Sequence, residues 1–183
     1  MNVKEALETF FENNTQSWKR VWGTAPRIPI NEKYLNSGLI IEGSINKENE
    51  GEWLPKLQTS TIDFSAIELK LGFNINPQLK DFLSTYWFMP LEGKTTKVDH
   101  IVLNEVLPNI DLAQNICNYF NRNDFHYLNE GEYYMIGGFC CINGDDSYLV
   151  SFNNENGQIT AVHNFDKMEL SRNVQSENTQ NLR

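Results

Sequence analysis

The last third of the chain leaves the least freedom of fold. Three short apolar, β-rich runs follow one another there: "YYMIGGFCCI" (133–142), "SYLVSFN" (147–153) and "QITAVHNF" (158–165). Only "NGDD" (143–146) and "NENG" (154–157) separate them. Connections this short suit antiparallel neighbours, because parallel strands need a long crossover. The spacing therefore predicts an antiparallel meander, with Asn156-Gly157 as a tight-hairpin signal. Gly137-Gly138 inside the first run predicts a bulge or a close backbone approach. It is no phosphate loop, since no Lys-Ser/Thr follows. Adjacent Cys140 and Cys141 would point to opposite faces of their strand.

The earlier two-thirds carry a helical period. "VKEALETFFENNTQSWKRVW" (3–22) puts Val3, Leu7, Phe10, Phe11, Trp18, Val21 and Trp22 near one stripe. The Asn13-Asn14-Thr15 stretch weakens the middle of that helix, and "GTAPRIP" ends it. "LNSGLIIEG" (35–43) reads as a short strand and "NKENEGEW" (46–53) as a polar loop. "DFSAIELKLGFNI" (63–75) reads as a helix closed by Gly72. Asn76 can then cap a new helix with Pro77 at its first position. Leu79, Phe82, Leu83, Tyr86 and Trp87 continue the 3–4 spacing of a buried face. "DHIVLNEVL" (99–107) reads as a strand and "NIDLAQNICNYFNRN" (109–123) as a helix. The polar end, "SRNVQSENTQNLR", is expected to fray. Helices first and a hairpin sheet last give an α+β class: a mostly antiparallel sheet, ending in the meander and flanked by helices. We expect one domain over 1–170 and a polar tail over 171–183.

Composition bounds the function. Fifteen Lys and Arg against 24 Asp and Glu leave a net charge of −9. Such a field repels nucleic acid and anionic headgroups and favours a basic partner. The first residues lack the pattern of a secretory signal, and no window has the ~20 apolar residues of a membrane span. Three cysteines cannot make a complete disulfide framework, so cytoplasmic residence is the default expectation.

Catalytic signatures are poor. His100, His126 and His163 stand far apart, without a neighbouring ligand at zinc spacing, so neither a metal nor another cofactor is expected. Gly144-Asp145-Asp146 superficially matches a polymerase metal motif. A hairpin turn explains the same residues in a chain this short. There is no nucleophile elbow and no convincing Cys/His pairing. Glu50, Glu52, Asp63, Glu68, Glu92 and Asp99 could form an acidic patch or simply a solvated face. The residues favour a binding module over an enzyme.

The order of segments resembles the Syd family of the SUKH superfamily. Ala6, Leu7 and Phe10, followed by Trp18 and Trp22, match its opening helix and aromatic stretch. Pro29-Ile30-Asn31-Glu32 matches its proline and acidic turn, and Trp53-Leu54-Pro55 its Trp-x-Pro element. Glu68, Phe73, Pro77, Phe82 and Tyr86-Trp87-Phe88 fill the helix that ends in aromatics. "HIVLNEVLPNIDLAQNICNYF" and "SFNNENGQITAVHNF" correspond to the later strand, helix and hairpin. The likeness spans roughly residues 4–170. Two features depart from it: the tail lacks the family's final short helix, and "EGKTTKVDH" is more basic than a face for a cationic partner should be.

The resemblance implies a non-enzymatic protein whose acidic concave surface meets the basic cytoplasmic loops of the SecY translocon. It would sit in the cytoplasm, peripheral at the inner membrane and touching the membrane only through SecY. Partner-binding candidates are Glu52, Trp53, Glu68, Trp87 and Asp99, with core packing the competing role for the two tryptophans. Other SUKH members are immunity proteins that neutralise toxin domains, often basic nucleases. That is the alternative reading of the same charge.

Overall fold

The computed structural model describes residues 2–94, 98–120, 133–163 and 179–181. The chain divides into two compact units built from interleaved segments. Unit 1 takes Met1–Ile62, Lys80–Met89 and Glu105–Leu112; unit 2 takes Asp63–Leu79, Pro90–Asn104 and Ala113–Arg183.

Unit 1 opens with helix α1, Val3–Trp22. Asn2 and Glu5 form a reciprocal capping box: Asn2 Oδ1 accepts from Glu5 N at 2.9 Å, and Glu5 Oε2 from Asn2 N at 3.1 Å. Gly23, at φ 73°, closes the helix in the left-handed region that glycine enters without strain. The helix is continuous, so the Asn13-Asn14-Thr15 stretch does not break it. Its apolar stripe is buried only in the first half, at Leu7 and Phe11. Strand β1 (Arg27–Pro29) and the short helix α2 (Glu32–Leu35) follow. β1 pairs antiparallel with β2 (Glu50–Glu52).

Three expectations need correction in unit 1. Residues 35–43 form no strand: Leu35 ends α2, and Ile40 makes one isolated bridge to Trp53. The polar 46–53 segment supplies β2 rather than loop alone. Helix α4 (Pro77–Thr85), which begins in unit 2 and ends in unit 1, stops before its aromatics. Strand β3 (Lys56–Leu57) captures Tyr86–Trp87 as strand β4. Gln58 reinforces the switch. Its N donates to Thr85 O at 3.0 Å, and its Nε2 to Leu83 O at 2.8 Å and Tyr86 O at 3.0 Å. Those bonds take up carbonyls that a helix end leaves free. Phe88 then bridges Val106 and is fully buried, its ring 5.8 Å from Phe11 and 5.5 Å from Phe82. Burying a phenylalanine this completely contributes about 2–3 kcal/mol.

Unit 2 carries helix α3 (Phe64–Leu71), closed by Gly72 as its sequence predicts and capped at its start by Asp63. Asn76 caps α4 by accepting from Gln78 N at 3.0 Å. The main feature is a six-stranded antiparallel sheet in the order β10-β9-β8-β7-β6-β5. Its strands are β5 (Leu91–Gly93), β6 (His100–Leu103), β7 (Tyr133–Ile142), β8 (Asp145–Asn153), β9 (Ile159–His163) and β10 (Thr179–Asn181). The α+β class and the meander are thus observed. Helix α5 (Leu112–Phe120) lays Phe120 edge-on against Tyr134 of β7 at 5.1 Å and against Phe73 at 5.0 Å.

Gly137 fulfils the close-approach reading. A Cβ there would lie 2.5 Å from Val102 O and 2.8 Å from Val150 Cβ, where the β7 register shifts. Cys140 is buried and Cys141 half-buried, consistent with opposite faces. The tight two-residue turn is Asn143-Gly144, both at positive φ, between paired Ile142 and Asp145. Asn156-Gly157 belongs instead to a longer loop. Asn153 closes that loop by accepting from Glu155 N, Asn156 N and Gly157 N. Its next residue, Asn154, accepts from Asn76 N at 2.8 Å and donates to Asn74 O at 2.9 Å. These bonds hold the loop against the start of α4. Within the tail, Thr179–Asn181 form β10, which pairs with β9 and occupies its free edge, while the end expected to fray lies outside the described residues. The proposed boundary at residue 170 and the helix positions 121–123 lie outside the described residues.

Candidate protein-binding surface

The five residues singled out in the sequence fall in both units: Glu52, Trp53 and Trp87 in unit 1, Glu68 and Asp99 in unit 2. Each carboxylate is tied to the chain's own backbone. Glu52 Oε2 accepts from Ala25 N at 3.0 Å, and its Oε1 lies 3.4 Å from Arg27 Nη2. Glu68 Oε1 accepts from Ile75 N at 2.7 Å, and Asp99 Oδ2 from Gly144 N at 3.1 Å. Such bonds leave the negative charge in place while fixing loops and turns.

The two tryptophans differ. Trp53 is 4 % exposed, donates its backbone N–H to Pro26 O and faces Ile40 across the isolated bridge. Its indole packs in the core of unit 1. Trp87 is half-buried in β4, opposite Lys56. Glu52 ends β2 and Trp53 follows it directly, whereas Trp87 sits on the separate β3–β4 pair.

Sequence reasoning missed the exposed apolar side chains of the same region. Ile41, Ile45, Leu54 and Leu57 are all exposed. Ile41 N donates to the backbone O of Glu52 at 2.8 Å, so the two residues are neighbours across the chain. Glu42 and Glu48 are also exposed on this stretch. The missed signal was the run Leu39-Ile40-Ile41, in which Leu39 is buried and Ile41 is not. Apolar residues interleaved with acids can supply both burial and steering to a cationic, partly apolar partner.

Other chemistry finds little support. Among the described residues, no group of three or more His, Cys, Asp or Glu side chains could hold a metal ion. His100 Nε2 lies 3.5 Å from Glu92; His126 and the His163 side chain fall outside the described residues. Burial, with Cys141 beside it, pushes the Cys140 thiol up to about 11, which keeps it protonated and a poor nucleophile. No helix among the described residues is long and apolar enough to cross a membrane.

A six-stranded antiparallel sheet together with helices defines an α+β fold. Residues 4–131 match the family described as Syd protein (SUKH-2), and the chain belongs to that family. No curated protein sequence matches it.

Proposed function

We propose that this chain is a non-enzymatic Syd-like protein that associates with the basic cytoplasmic loops of the SecY translocon. The observation that carries the proposal is the family match over 4–131. A net charge of −9 supports it, because the field steers a cationic partner toward the chain. We place the contact on unit 1, around Glu42, Glu48 and Glu52, with Ile41, Leu54 and the half-buried Trp87 as apolar contributors. Trp53 supports this surface from beneath. Glu68 and Asp99, in unit 2, add to the chain's net negative charge. Exposed charge pairs give only ~0–1 kcal/mol each, so affinity must also come from the apolar contacts.

The test is capture from detergent-solubilised membranes. Salt-reversible retention of SecY is the expected result, with Glu42→Lys/Glu48→Lys slowing association roughly tenfold at low salt. Recovery of a soluble basic toxin domain in place of SecY would replace this reading with the immunity role.

A further inference from the structure

Helix α1 carries one apolar stripe with two different fates. At 100° per residue, Leu7, Phe11, Trp18, Val21 and Trp22 lie on the same side. Leu7 and Phe11 are buried, but no residue from Glu12 to Thr24 is. Val21 is 61 % exposed and Trp22 69 %. The Trp18 and Trp22 rings lie 6.4 Å apart, so they form one apolar surface at the helix end.

The stretch of sequence that carries that surface, between Glu12 and Glu32, has a local charge opposite in sign to the chain's net charge. Residues 13–31 contain Lys19, Arg20 and Arg27 and no Asp or Glu, in a chain of net −9. Arg27 is engaged with Glu52, whereas Lys19 and Arg20 are exposed in the last turn of α1. The long-range negative field is screened within about 8–10 Å at physiological salt, so a surface in contact with this turn meets mainly its local positive charge.

We propose that the last turn of α1 is an anchor for an anionic lipid surface. Trp18, Val21 and Trp22 would enter the headgroup region, with Lys19 at the flank of that face against the phosphates and Arg20, on the opposite side of the helix, adding longer-range attraction. Indoles suit that boundary, being apolar bodies with a polar N–H, and flanking cations add attraction to anionic lipid. Three side chains are far fewer than the ~20–30 residues that each partner brings to a specific protein interface. They are enough to strengthen a surface association that a second contact completes. This site is separate from the acidic surface assigned to SecY and does not rest on that assignment.

Vesicles free of protein test it. The full chain should co-sediment with phosphatidylglycerol-rich vesicles and shift its tryptophan emission to the blue, and do neither with pure phosphatidylcholine. Trp18→Ala/Trp22→Ala should lower the partition coefficient about tenfold, and Lys19→Gln/Arg20→Gln by several-fold, with the melting temperature of each variant little changed. No binding to phosphatidylglycerol vesicles, or binding that these variants leave intact, overturns the proposal. So does loss of a protein partner on the same substitutions without vesicle binding, which would assign the patch to an acidic protein. Because the vesicles contain no SecY, either result leaves the translocon reading to its own test.

Discussion

The two units are stabilised in different ways. Unit 2 is organised by a six-stranded ladder in which every strand finds at least one backbone partner. Unit 1 has only two-stranded pieces among its described residues, β1–β2 and β3–β4, and no ladder joins them, so side chains that bond to backbone, present in both units, carry a larger share there. Glu52 holds Ala25, Gln58 holds the end of α4, Asn31 caps α2, and Ser44 accepts from Glu52 N. Exposure follows the same division. Among the described residues, Val21, Trp22, Leu35, Ile41, Ile45, Leu54 and Leu57 are exposed large apolar side chains in unit 1, against Leu69 in unit 2. A continuous ladder satisfies its own backbone and lets apolar side chains close over it. A patchwork leaves apolar residues at its margins, where a partner can use them.

The difference can be broken or sharpened by substitution. The largest effect is expected at Phe88, the fully buried ring in unit 1. Phe88→Ala should cost about 3–5 kcal/mol through lost burial and a residual cavity, seen as a lower urea midpoint. A cost below about 1 kcal/mol would mean that the aromatic cluster is loosely packed. Next comes Gly137 in unit 2. Gly137→Ala should cost roughly 2–3 kcal/mol, because the added methyl meets a backbone oxygen that cannot rotate away. Thermal unfolding unchanged by this substitution would contradict the tight crossing at the bulge.

Gln58→Ala should cost about 1–2 kcal/mol by stripping Leu83 O and Tyr86 O of their donor. If β4 then frays, amide exchange at Tyr86 and Trp87 will quicken first. The smallest effect is at high pH. Burial, with Glu105 adding repulsion, pushes the Tyr34 hydroxyl up to about 12. Below pH 10 both folded and unfolded chains hold that proton. As pH climbs from 10 toward 12 the unfolded chain releases it first, so stability falls over that window. Tyr34→Phe should flatten that part of the stability–pH curve. An unchanged slope would show that Tyr34 is not its source.

Local rules made much of the fold legible. Gly23 and Gly72 as helix stops, Asn76-Pro77 as a start, and the hairpin turn at Asn143-Gly144 each depend on the conformational freedom of a few neighbouring residues. The candidate surface was legible only as composition. The sequence named Glu52, Glu68 and Asp99 as acids but could not show that each holds a backbone amide. Nor could it divide Ile40-Ile41 or the α1 stripe into covered and uncovered parts, because helical spacing says which residues share a face and not how far the core reaches beneath it.

By itself, then, the sequence determined the α+β class, the caps, the net charge and the family likeness, all of which reside in short-range pattern or in sums over the chain. Tertiary structure alone decided that Tyr86–Trp87 leave their helix for a strand, that the polar tail returns as β10, and that Trp53 is buried while Trp22 is not. Those outcomes depend on partners distant in sequence, such as β3 and Gln58 for Tyr86–Trp87, whose hydrogen bonds and burial outweigh a local preference of at most a fraction of a kcal/mol per residue.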